Sequence, residues 1–166
     1  MTGGLPPPTA AARNVIVWPE HEDWLAGCAT NATGSWVKRT LDNSGHDGAT
    51  SIAVDSSGKV HISYYDDANT SLKYVTNTTG AWMKTTLDNS GDVGYNNSIA
   101  VDSGGKVHIG YTDSALKYVT NASGHWVKKV VDDSGILGSI AVDSNGKVHI
   151  SYYDYANGAL KYAAGP

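Results

Sequence analysis

Two groups of side chains in this 166-residue chain are of types that do chemistry. His61, His108 and His149 stand at one position of a recurring phrase, and three imidazoles that converge within a few ångström can hold zinc. The second group is Tyr64, Tyr65, Asp66, Tyr95, Asn96, Asn97, Tyr111, Asp113, Tyr152, Tyr153, Asp154 and Tyr155. Aromatic rings beside carboxylates and amides suit a sugar, whose C–H face stacks on the ring while its hydroxyls take paired polar contacts. The same residues also have a structural use, because tyrosines at a strand end pack between sheets and an aspartate directly after a strand caps a turn. From this group Tyr65, Asp66, Tyr95, Asn96, Asp113, Tyr153, Asp154 and Tyr155 are the expected ligand-binding residues. Asp88-Asn-Ser-Gly-Asp92 has the oxygen spacing of a calcium loop, yet the matching Asp132-Asp-Ser-Gly-Ile136 lacks the last carboxylate and no bidentate glutamate follows. A glycine-containing turn explains it better. No Ser-His-Asp order, glutamate pair or metal cluster can be singled out, so no catalytic residue, metal ligand or cofactor is assigned.

These side chains ride on a repeat. Ser-Ile-Ala-Val-Asp-Ser-x-Gly-Lys-Val-His-Ile occurs at Ser51 to Ile62, Ser98 to Ile109 and Ser139 to Ile150. Trp36, Trp82 and Trp126 each close a Thr-Asn-x-Ser/Thr-Gly-x stretch and lie 46 and 44 residues apart. The unit is therefore roughly 45 residues long, the length of a four-stranded propeller blade. Within it Ser51 to Asp55 reads as strand A, closed by a turn whose Gly58 supplies positive φ. Lys59 to Tyr65, β-branched and aromatic at alternating positions, reads as strand B. Leu72 to Thr76 and Trp82 to Leu87 read as strands C and D. An apolar i, i+3, i+4 pattern nowhere persists for three turns, so helix is not expected. Short strands with frequent turns also suit a sandwich or barrel, but only a propeller requires one sequence for every four strands.

The hairpin Ser139 to Ile150 resembles the first hairpin of NHL-type β-propeller blades and of related bacterial extracytoplasmic propeller repeats. The resemblance covers three copies and most of residues 25–166, and it implies an extracellular or cell-surface setting. Thr76-Asn-Thr-Thr-Gly-Ala-Trp82 is similar to the Asp-box turn of sialidase-like propellers, without the aspartate two residues before the glycine. The catalytic arginines of that family have no counterpart, since Arg13 and Arg39 are the only arginines.

The expected fold is thus an all-β propeller. Residues 1–13 read as a disordered leader. Residues 14–50 form an incomplete N-terminal blade of strands B to D, residues 51–97 and 98–138 complete blades, and residues 139–166 an incomplete blade of strands A to C. The smallest ring needs about 180 residues, so head-to-tail association of two chains into a homodimer is expected to complete it. A four-bladed monomer is the alternative. Equivalent histidines on diverging blades are too far apart to share zinc, which leaves packing or hydrogen bonding between blades for them.

Composition narrows the partners. With a net charge of -4 and 17% charged residues, the chain offers no basic patch for a phosphate backbone, so nucleic acid is not expected. No apolar run approaches the eighteen or so residues of a membrane span, and the first twelve residues lack the regions of a signal peptide. Cys28 is the only cysteine, which excludes an intrachain disulfide. Asn31, Asn69, Asn77, Asn96 and Asn121 open N-x-S/T triplets, as turn-rich repeats do anyway. The functional expectation is a non-catalytic binding or scaffold propeller, with glycans as the ligand its upper loops would take. The alternative is a propeller hydrolase or lyase, sialidase- or lactonase-like, or a fragment of one. An enzyme would break the repeat with unique polar residues near the axis, and strand A carries no such break.

Overall fold

The computed structural model describes residues 26–30, 36–43 and 47–165. The expected leader and the start of the expected N-terminal blade, residues 14–25, lie outside the described residues. Strands β1 (Ala26–Thr30) and β2 (Val37–Asp42) form a two-stranded antiparallel sheet. Four-stranded sheets follow: β3 (Asp47–Val54), β4 (Val60–Asp66), β5 (Ser71–Thr76) and β6 (Met83–Asp88), then β7 (Tyr95–Val101), β8 (Val107–Thr112), β9 (Leu116–Thr120) and β10 (Val127–Asp132). The last sheet has three strands, β11 (Gly135–Val142), β12 (Val148–Asp154) and β13 (Ala159–Gly165). Each sheet is an antiparallel meander in chain order, and the sheets are successive blades of a β-propeller, called blades 1 to 4 below. Among the described residues the single helical element is one 3-10 turn, Asp67–Asn69.

The first strands are innermost: β3 lies beside β7, and β7 beside β11. The serine that opens each repeated phrase joins them, because Ser51 Oγ accepts from the Ile99 backbone N–H at 3.2 Å and Ser98 Oγ from that of Ile140 at 3.3 Å. In blades 2 and 3 the second strand is then covered on both faces, which is why β4 and β8 are buried almost throughout while β6 and β10 at the periphery are largely exposed; β12 of blade 4 alternates buried and open. The first strands begin upstream of the expected Ser51, Ser98 and Ser139. Each carries a bulge there, between Asp47 and Thr50, Tyr95 and Ser98, and Leu137 and Ser139.

The lower turns explain the repeated polar residues. Asp55 Oδ1 accepts from the backbone N–H groups of Ser57 and Lys59, and Gly58 supplies the φ of +73° that closes the turn. Asn77 Oδ1 accepts from Val60 N at 2.8 Å, and Asn121 Oδ1 from Val107 N at the same distance, so these two amides pin the C to D turn to the start of strand B.

The histidines differ from expectation. Each is bonded within its own blade, not between blades. His61 Nδ1 lies 2.6 Å from the Tyr74 hydroxyl and its Nε2 3.3 Å from Asp55 Oδ2. His108 meets Tyr118 and Asp102, and His149 meets Tyr162 and Asp143, at nearly identical distances. The physical reason is the pleat: a histidine on the second strand reaches the tyrosine of the third strand and the aspartate of the first hairpin.

Candidate functional site

The second-to-third and fourth-to-first strand loops share the upper face, where the end of one blade meets the start of the next. At the junction of blades 2 and 3 the ring of Tyr65, buried at the end of β4, stacks on Tyr95 with centroids 4.2 Å apart. Gly48 lies beneath Tyr65, where a Cβ would stand 3.0 Å from the ring, so the close approach needs glycine. The Tyr65 hydroxyl donates to Asp92, the Tyr95 hydroxyl donates to the other oxygen of the same carboxylate at 3.3 Å, and the two hydroxyls are 3.1 Å apart. Burial, reinforced by the Asp92 carboxylate and the neighbouring phenol, pushes ionisation of Tyr65 well above the usual tyrosine range. Tyr95 itself is 42% exposed. The result is a fixed aromatic platform: one ring locked below, one ring open to solvent, and a carboxylate at its edge.

Asn96, next to Tyr95, is exposed and takes φ of +44° in the bulge of β7. Asn97 points inward instead, donating to the carbonyls of Ala49 and Gly94 and accepting from Ser63 Oγ at 2.6 Å. Tyr153 and Tyr155 on blade 4 form a second exposed aromatic pair, edge to face at 6.4 Å.

The aspartates that close the second strands are tied into their own blades. Asp66 accepts from the backbone N–H and side-chain amide of Asn69 and pairs with Lys73. Asp113 accepts from Ala115 N and pairs with Lys117 at 2.5 Å, and Asp154 accepts from Ser134, Ala156 and Asn157 and pairs with Lys161 at 2.6 Å. Burial opposes ionisation of Asp66 and Asp113, but their lysines and nearby N–H groups outweigh it and hold both carboxyls below the ordinary value. For Asp154 the Lys161 and Asn157 contacts dominate and act in the same direction. Of the residues expected to meet a ligand, Tyr65, Asp66 and Asp154 are buried and hold the upper loops from within.

Tyr64, Tyr111 and Tyr152 serve the blade junctions. Their hydroxyls donate across to Asp42, Asp88 and Asp132 of the preceding blade at 2.6, 2.7 and 2.8 Å. Lys84 and Lys128 reach Asp42 and Asp88 from the fourth strand of the following blade, and in blade 4 Lys161 takes that place at 3.4 Å from Asp132. The two ends of the calcium-like stretch thus have separate duties: Asp88 joins blades, and Asp92 holds the platform. Among the described residues no three His, Cys, Asp or Glu side chains gather as metal ligands.

The sequence reading missed Asp92, and it missed the junction aspartates. Their signal was in the repeat, since Asp42, Asp88 and Asp132 each lie six residues after a repeated Trp.

No protein-family model matches the chain, and no curated protein does either. Solved structures do. A mutant of the Aleuria aurantia lectin in complex with Fucalpha1-6GlcNAc superposes with a TM-score of 0.56 at 9% identity, over 92% of this chain and 55% of that one. A glycosyl hydrolase from Bacteroides ovatus follows with 0.48 at 13% identity, over 84% of this chain and 56% of that one. An engineered GH43 glycoside hydrolase gives 0.47 at 11% identity, over 92% and 37%. At these identities the likeness is one of fold. The chain spans 55% of the length of the lectin it matches.

Proposed function

We propose that this propeller is a non-catalytic carbohydrate-binding module whose ligand is received on the upper loops. The observation that carries the reading is the Tyr65–Tyr95–Asp92 platform, because an exposed ring held rigid from behind loses little entropy when a pyranose stacks on it. In this assignment Tyr95 is the stacking surface at the second junction and Tyr153 with Tyr155 the stacking surface on blade 4. Asn96 offers its amide to sugar hydroxyls, while Tyr65, Asp66, Asp113 and Asp154 position the loops. A lectin of the same fold in complex with a disaccharide fits this reading. Sites repeated on several blades would add avidity for multivalent glycans.

The test is a glycan array probed with the chain and with Tyr95→Ala. Wild type should retain a defined set of saccharides, and Tyr95→Ala should lose at least tenfold in affinity for those read at that platform, about 1–3 kcal/mol of stacking and burial, with an unchanged far-ultraviolet circular dichroism spectrum. An array without a single retained glycan would remove the proposal.

A further inference from the structure

Blade 4 exposes what blades 2 and 3 bury. Leu72, Leu116 and Leu160 occupy one position of the repeat, and the first two are fully buried while Leu160 is 84% exposed. Tyr74 and Tyr118 are each 6% exposed, and their equivalent Tyr162 is 63% exposed. His61 and His108 are buried, whereas a third of the His149 side chain is open. The chemistry at these positions is unchanged and only the covering layer differs. Tyr162 keeps its 2.6 Å bond to His149 Nδ1, so the face is already in the geometry that its buried equivalents have.

The opposite edge of the molecule carries the complementary half. Between blades 2 and 3 the tyrosine position is covered by the tryptophan that opens the fourth strand: Trp126 meets Tyr74 edge to face, with centroids 5.3 Å apart. Trp82, at the same position of blade 2, is partly buried against the Ile62, Tyr64 and Val75 cluster of its own blade. Trp36 is their equivalent at the start of β2, and it is 52% exposed. One molecule therefore presents both sides of the contact that joins its inner blades, each unmet among the described residues, on two different edges.

We propose that the open face of blade 4 receives the β1–β2 sheet of a second copy of this chain, with Trp36 of that copy seated on Tyr162 and Leu160 as Trp126 is seated on Tyr74. The contact is heterologous, pairing one edge with a different edge, and two copies satisfy it twice and close a ring. Burial of Leu160, Tyr162 and Trp36 supplies the apolar centre such an interface needs.

Sedimentation of the chain from micromolar to near-millimolar concentration should give a species of twice the 17.4 kDa chain mass. Trp36→Glu and Tyr162→Glu should each sediment as monomers. An equimolar mixture of the two variants should regain the dimer mass, because one of its two interfaces then pairs intact Trp36 with intact Tyr162. Oxidation of a Trp36→Cys, Tyr162→Cys chain in a Cys28→Ser background gives a second readout that needs no loss of stability: a disulfide-linked dimer is expected. A wild-type monomer at every concentration, a mixture that stays monomeric, or a disulfide formed within one chain would overturn the proposal, the last by showing that the ring closes on itself.

Discussion

Asp88 receives contacts from two blades: the Tyr111 hydroxyl at 2.7 Å and Lys128 Nζ at 2.8 Å from blade 3, and Ser90 N at 3.2 Å from its own loop. Burial works against the charge, but Lys128, Tyr111 and Ser90 prevail and hold its pKa at about 2, down from 3.8. Asp132, held by the Ser134 N–H and the Tyr152 hydroxyl, is also lowered to about 2. Both groups are stronger acids folded than unfolded, so their stabilisation is complete above the unfolded value near 4 and is lost as pH falls from there through about 2. The urea midpoint should fall across that window. Asp88→Asn should lower stability at neutral pH by about 2 kcal/mol and flatten the acid dependence, read by urea titration at a series of pH values. The residue scale was only partly legible in sequence. Tyr95 and Asn96 stood out by type, but the role of Asp88 depends on Tyr111, 23 residues away in another sheet, and no local pattern reports that. The Asp55–His61–Tyr74 clamp was legible in principle, since all three residues recur together, yet reading Asp55 as the end of strand A hid the reach of its second oxygen.

At the scale of elements, the strands were legible because hairpin glycines and β-branched runs recur in phase. The bulged starts of β3, β7 and β11 were not, because Asp47, Asn96 and Gly138 break the apolar pattern where the strand in fact continues. Those starts individualise the junctions. Ser63 of blade 2 meets Asn97 of blade 3, whereas Gly110 at the position of Ser63 makes room for Leu137 of blade 4. A Cβ on Gly110 would stand 2.9 Å from Leu137 Cδ1. Gly110→Ala should cost about 1–3 kcal/mol by overpacking. Leu137→Ala in the same chain should remove most of that increment, giving a coupling of about 1 kcal/mol in a double-mutant cycle of urea unfolding. Additive effects of the two substitutions would show that the side chain of Leu137 does not fill the place left by Gly110.

The whole molecule combines near-identical inner strands with dissimilar upper loops. The inner strands are joined through Ser51 and Ser98, and the loops carry exposed aromatic rings. Propeller architecture was readable from the repeat alone, because only a radial array asks for one sequence every four strands. The aromatic platform was not readable as a unit. Tyr65 and Tyr95 are 30 residues apart and meet only because consecutive blades abut at their upper ends. A crystal structure of the chain with a saccharide chosen from the array would test the account most directly. The account predicts a pyranose ring in van der Waals contact with the open face of Tyr95, with Asp92 or Asn96 in hydrogen-bonding reach. A saccharide bound elsewhere with the Tyr95 ring bare would contradict it.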